Sequence, residues 1–154
     1  MTTDAGDYIT PSRLNPVAFQ LQLGSNYTLT TTATDLTLTN VTPGYSSGTT
    51  SIVVPEGGMV GLAVWQGDFQ LTTSATVTAA TLDLTIDGAI PTGAPQALFD
   101  PGNVTDMRLT PGASWPFALA AGSHSFGLRA SITPSTSNVR LNARHTCLSI
   151  LLHP

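Results

Sequence analysis

Three histidines (His124, His145 and His153), the lone Cys147 and the aspartates Asp83 and Asp87 are the residues of this 154-residue sequence best placed to do chemistry. A metal site needs several His, Cys or carboxylate ligands converging on one point. His124 and His145 could meet that need if their strands are neighbours. The simpler reading is an imidazole hydrogen-bonded near a strand end, with His153 in solvent. Asp83 and Asp87, four apart on a strand, project from the same face about 13 Å from each other. That is too wide for the carboxylate pair of glycoside hydrolysis and too sparse for calcium without loop ligands. They are expected on a turn and a solvated face. Cys147 sits in the apolar run "HTCLSILL", where a buried, inert thiol is expected rather than a nucleophile. A lone cysteine forms no intrachain disulfide. "GGMVG" (57–61) is rich in glycine but enters a strand, so it lacks the helix N-terminus that holds phosphate. No nucleophile elbow, phosphate loop or dinucleotide fingerprint is present. The sequence predicts a protein that is not an enzyme and uses no metal or cofactor.

Composition narrows the partners. Charged residues are 9% of the chain, against about 25% in ordinary domains. There is no lysine; the cations are Arg13, Arg108, Arg129, Arg140 and Arg144. Ser and Thr fill the polar positions, and β-branched Thr suits a pleated surface. Such a surface repels neighbours weakly and tolerates close packing in an assembly. The formal net charge of −4 and the lack of a basic stripe argue against nucleic acid. No apolar run is long enough to span a bilayer as a helix, so no membrane partner is expected. The acidic "MTTDAGDYITPSRLNP" has no apolar core and is not expected to act as a signal peptide. The glycosylation sequons at Asn26, Asn40 and Asn103 are then chance products of a Thr-rich chain.

The elements that position these residues read as strands. In "WPFALAAGSHSFGLRASI" (115–132), Phe117 and Leu119 share one phase, then His124, Phe126, Leu128, Ala130 and Ile132 share one after a Gly-Ser break. That is the period of a half-buried hairpin. "VAFQLQL" (17–23) and "ATLDLTIDG" (80–88) alternate likewise, and Asp87-Gly88 makes an exit turn. Met59 to Trp65 alternates little, which predicts a strand covered on both faces. The apolar phase shifts between Ala143 and Leu148, so the chain either bulges there or leaves one sheet for another. Residues 89–103, with Pro91, Pro95 and Pro101, form the longest loop. No helical period is sustained. The reading is all-β: an antiparallel β-sandwich of jelly-roll type, with an extended N-terminal arm at 1–16 and one domain at 17–154.

"NPVAFQLQL", "TSIVVPEGGMVGLAVW", "TLDLTIDG" and "LAAGSHSFGLRASI", in that order, resemble the trimeric jelly-roll heads of the tumour-necrosis-factor and complement-head superfamily. The match runs over about residues 16–152, through the turn Pro55–Gly58, the turn Asp87-Gly88 and the turn Leu119–Gly122. "AAGSHSFGLRASI" with "LSILL" also looks like the closing segment of jelly-roll virion proteins of tailed bacteriophages. The resemblance implies a homotrimer, with Trp65, Phe69 and Phe117 as its seam unless they fill the monomer's core. It implies a virion location on the capsid surface: a decoration or cement protein that binds the major capsid protein and stabilises the shell. Tyr8, Ile9, Arg13 and Leu14 are the candidate shell contacts, through an arm that can add as a strand to a neighbour's sheet edge. The alternative is a tail-tip module that recognises a host glycan through loop 89–103, with Phe99, Asp100 and Trp115 as its site.

Overall fold

The computed structural model describes residues 17–42, 50–72, 79–100, 106–133 and 139–153. The arm, with Tyr8, Ile9, Arg13 and Leu14, lies outside the described residues, as does Asn103. The described chain folds as an antiparallel β-sandwich of jelly-roll type. Its strands are β1 (Val17–Leu23), β2 (Tyr27–Thr28), β3 (Thr34–Asp35), β4 (Leu38–Asn40), β5 (Ser51–Val54), β6 (Met59–Gln66) and β7 (Phe69–Leu71). They continue with β8 (Ala79–Ile86), β9 (Ala97–Phe99), β10 (Arg108–Leu109), β11 (Gly112–Leu119), β12 (Gly122–Thr133), β13 (Val139–Leu141) and β14 (Cys147–His153).

One layer has the order β11-β6-β14-β1-β4. The other is built from β3-β12-β8-β9, β10-β7-β13-β2, and β5 paired to the start of β12. Leu29 N–H donates to Val139 O at 2.8 Å, and Ile132 N–H donates to Thr30 O at 2.9 Å. The run through β2 and β3 therefore joins those pieces into one surface. Apolar residues from both layers share one core, in which Phe19, Leu21, Trp65, Phe69, Leu82, Leu128 and Ile150 are buried. The rings of Trp65, Phe69 and Phe99 meet at centroid distances of 5.4–5.7 Å.

Turn chemistry follows the residues. Asp87 and Gly88 both take positive φ (54° and 76°), and Ile86 bridges Ala89 around them. This is the two-residue hairpin turn that Asp-Gly favours. Gly58 N–H closes the next turn onto Pro55 O at 3.1 Å. The phase shift after Ala143 is a change of layer: a 3-10 turn, Ala143–His145, carries the chain from β13 to β14.

The strand predicted to be covered on both faces is not. Along β6, Gly61, Ala63 and Trp65 face inward, while Val60, Leu62 and Val64 are exposed on the outside. A strand apolar on both sides gives the same sequence pattern whether its outer face is covered or bare. Loop 89–103 is also shorter than expected. Within it, β9 pairs with β8 through Ala97, Leu98 and Phe99.

Candidate functional site

The outer face of the first layer is the site that sequence reading missed. Leu62 of β6 lies between Leu151 of β14 and Pro116 of β11. Val60 lies between His153 and Ala118, and Val64 between Ser149 and Ser114. None of these outward positions is Asp, Glu or Arg. Val60, Leu62, Val64 and Leu151 are all exposed. A shallow depression of about 580 Å³ opens on this surface, lined by Val60, Leu62, Pro116, Leu151 and His153 among others. The missed signal was the unbroken apolar run of β6.

The other layer's outer face is largely polar, apart from Val53 on β5 and Leu98 on β9, which are both exposed. Arg129 donates to Asp35 Oδ1 at 2.6 Å and to Gly88 O at 3.2 Å. Asp35 is held below the ordinary carboxylate range by its hydrogen bond from Arg129, against the opposing effect of its slight burial. Thr81 and Ser131 share a hydroxyl hydrogen bond of 2.6 Å, and Arg140 donates to Gln70 Oε1 at 2.5 Å. Asp83 belongs to this layer but is buried, not solvated. Gln96 Nε2 donates to both its oxygens at 3.2 and 3.0 Å, which folds the loop after Gly88 down over it.

Of the three aromatic residues named for the trimer seam, Trp65 and Phe69 are closed off, whereas Phe117 lines the apolar depression. Trp65 and Phe69 are each 1% exposed. They have no surface to offer a partner, because their phase on β6 and β7 turns them into the core. Phe117 is half-buried, its ring against Phe126 at 5.3 Å and across Gly61, which has no Cβ to block it. The glycan platform meets a similar obstacle. Trp115 is buried, and its Nε1–H donates to Pro95 O at 2.6 Å. Phe99 packs on Trp65 and Phe69, leaving Asp100 exposed beside it. Neither ring is open to stack on a sugar. A groove of about 530 Å³ does run between residues 89–95 and β11, with Asp87, Thr92 and His124 among its polar lining.

His124 and His145 are not brought together. His145 lies exposed in the 3-10 turn, whereas His124 reaches Asp87. Its Nδ1 is 2.7 Å from Asp87 Oδ2 and its Nε2 is 3.0 Å from Ala120 O. Ser125 donates its N–H (2.8 Å) and hydroxyl (3.3 Å) to the other oxygen of Asp87. The residue types are those of a Ser-His-Asp triad, but the order is wrong. Ser125 bonds to Asp87 and not to the imidazole, and the Nε2 that would take its proton faces a backbone carbonyl. Asp87 is held below the usual carboxylate range, first by the Ser125 N–H and then by His124. His124 is raised above its ordinary value, chiefly by the Asp87 carboxylate, against the opposing effect of slight burial.

The remaining residues have structural surroundings. Cys147 is half-buried on the outward phase of β14, not in the core, with Sγ 3.9 Å from Ser149 Oγ. Asp68 is buried at the entry to β7, where it pairs with Arg108 and accepts from Asn142 Nδ2 at 3.3 Å. Asn40 is buried, so its sequon is closed to modification in the fold. Asn26 is exposed and accepts from Ala143 N–H at 2.9 Å. Among the described residues, no group of three or more His, Cys, Asp or Glu could hold a metal ion, and no helix is long and apolar enough to cross a membrane.

No protein-family profile matches the chain, and no curated protein sequence matches it. Among solved structures, it is similar to the C-terminal domain of EclA, a sugar-binding protein, at 14% identity and a TM-score of 0.35, covering 97% of this chain and 88% of that one. It is also similar to a carbohydrate-binding module (CBM6cm-2) of Cellvibrio mixtus lichenase 5A, solved with cellotriose, at 15% identity and a TM-score of 0.34, covering 88% and 95%.

Proposed function

We propose that this chain is a structural module without catalytic activity, which packs through the outer face of its first layer into a homotrimer and decorates a phage capsid. One observation supports the reading: the part of that face around Val60, Leu62, Val64 and Leu151 is apolar, lacks Asp, Glu and Arg, and is uncovered among the described residues, with glutamine, serine and threonine around it. A face without charge can meet a copy of itself without burying an unpaired ion. Of the seam assigned to Trp65, Phe69 and Phe117, only Phe117 stays, beside Val60, Leu62, Val64 and Leu151. The shell partner remains the major capsid protein, contacted by the arm through Tyr8, Ile9, Arg13 and Leu14.

Light scattering over a dilution series tests the assembly. A mass that rises toward three copies supports it, and a single copy at every concentration refutes self-association. Deleting residues 1–15 should leave the sandwich folded and abolish attachment to virions; unchanged attachment would remove the arm from the mechanism. The second reading, a tail-tip module for host glycans, would use the groove beside residues 89–95. It ranks lower because the one aromatic ring among the groove's lining, Phe117, is half-buried against Phe126.

A further inference from the structure

We propose that His124 is a pH-sensitive latch that fastens the tip of the β11–β12 hairpin to the turn after β8. The geometry sets its protonation requirement. A backbone carbonyl can only accept, so the 3.0 Å contact with Ala120 O needs a proton on Nε2. An ionised carboxylate can only accept, so the 2.7 Å contact with Asp87 Oδ2 needs a proton on Nδ1. Both bonds exist together only in the imidazolium. In the neutral ring, one nitrogen turns a lone pair toward an oxygen, and that bond becomes a repulsion.

Few other groups interfere. Asp87 comes from the turn after β8, and Ser125 from β12 holds its second oxygen. β5 packs beside His124 through Ile52, and the turn after it carries Glu56, which makes no ion pair with the ring. Arg129 of β12 reaches Gly88 O, next to Asp87, but spends its charge on Asp35. Asp87 is thus the carboxylate that the ring answers to. The latch also lines the groove between residues 89–95 and β11, so its state sets one wall of that groove.

The sign follows from the raised histidine. The latch is fully closed below the ordinary histidine range and opens as pH rises through the higher value of the folded chain. Nuclear magnetic resonance of the ring nitrogens across pH 4 to 9 tests this, with the urea-unfolded chain as reference. Both ring nitrogens should be protonated at pH 6, and His124 should titrate above its unfolded value. Amide protection at Ala120–Ser125, corrected for base catalysis, should fall about two- to ten-fold across that titration, the worth of one hydrogen bond. The step should vanish in His124→Asn, and Asp87→Asn should bring the His124 titration down. A singly protonated ring at pH 6, a titration at or below the unfolded value, or a protection step that survives in His124→Asn would each overturn the proposal.

Discussion

Replacing Leu62 with aspartate tests the apolar face most directly. Full burial of a Val or Leu side chain is worth about 1.5–3 kcal/mol. Val60, Leu62, Val64 and Leu151 retain 57%, 37%, 38% and 36% exposure. Covering what remains is worth roughly 3 kcal/mol per copy. Association itself costs on the order of 4–15 kcal/mol, so the face alone would support only weak, concentration-dependent assembly. Leu62→Asp removes about 1 kcal/mol of that burial. It also places a carboxylate in the middle of the contact, which costs several kcal/mol to desolvate. Self-association should weaken by at least about 100-fold. Sedimentation equilibrium on the wild type, Leu62→Asp and Thr31→Asp, an exposed site on a loop, would read this. The reasoning is refuted if Leu62→Asp associates like the wild type, or if Thr31→Asp weakens association as much.

Other substitutions probe the scaffold. An added Cβ at Gly67 would overlap Cζ2 of Trp65 and lie 2.7 Å from Cη2, on a ring locked against Phe69 and Phe99. Gly67→Ala should cost about 1–3 kcal/mol, a melting shift of roughly 2–4 °C for each kcal/mol; Gly112→Ala, which meets only Trp65 O at 3.3 Å, should melt near the wild type. Asp68→Ala leaves the Asn142 amide and the Arg108 guanidinium without their shared acceptor and should cost about 2–3 kcal/mol in urea unfolding. Asp35 is lowered by Arg129, so its contribution is present above the ordinary carboxylate value and fades as pH falls through the lowered one. Asp35→Asn should therefore narrow the stability gap between neutral and acid pH slightly, the pair being exposed, and thermal melts at both pH values would show it.

The fold was legible where one face of a strand is polar. β12 is the clearest case: Phe126, Leu128, Ala130 and Ile132 are buried, with Ser125, Gly127, Arg129 and Ser131 between them. Asp87-Gly88 was legible because few dipeptides accept two positive φ values. The apolar face was not, because an exposed Leu62 and a covered one look alike in a single chain. Asp83 was misread for a related reason. Strand period gives the face of a residue, but not whether a loop folds over it, and Gln96 lies thirteen positions away. Trp65 and Phe69 belong to the core because the strand phase that carries them points inward, which ring size alone does not reveal.

The place of β14 has a consequence for the order in which the first layer can form. Residues 147–153 form the middle strand of the first layer, between β6 and β1. Until they pair, β1 and β6 have no common neighbour and both present open edges, a state prone to sticking to other chains. The apolar outer face is incomplete without them too, because Leu151 of β14 is the neighbour of Leu62. A chain in which β14 has not docked therefore lacks a finished outer surface on this layer. Completing the sheet and completing that apolar surface are therefore one event.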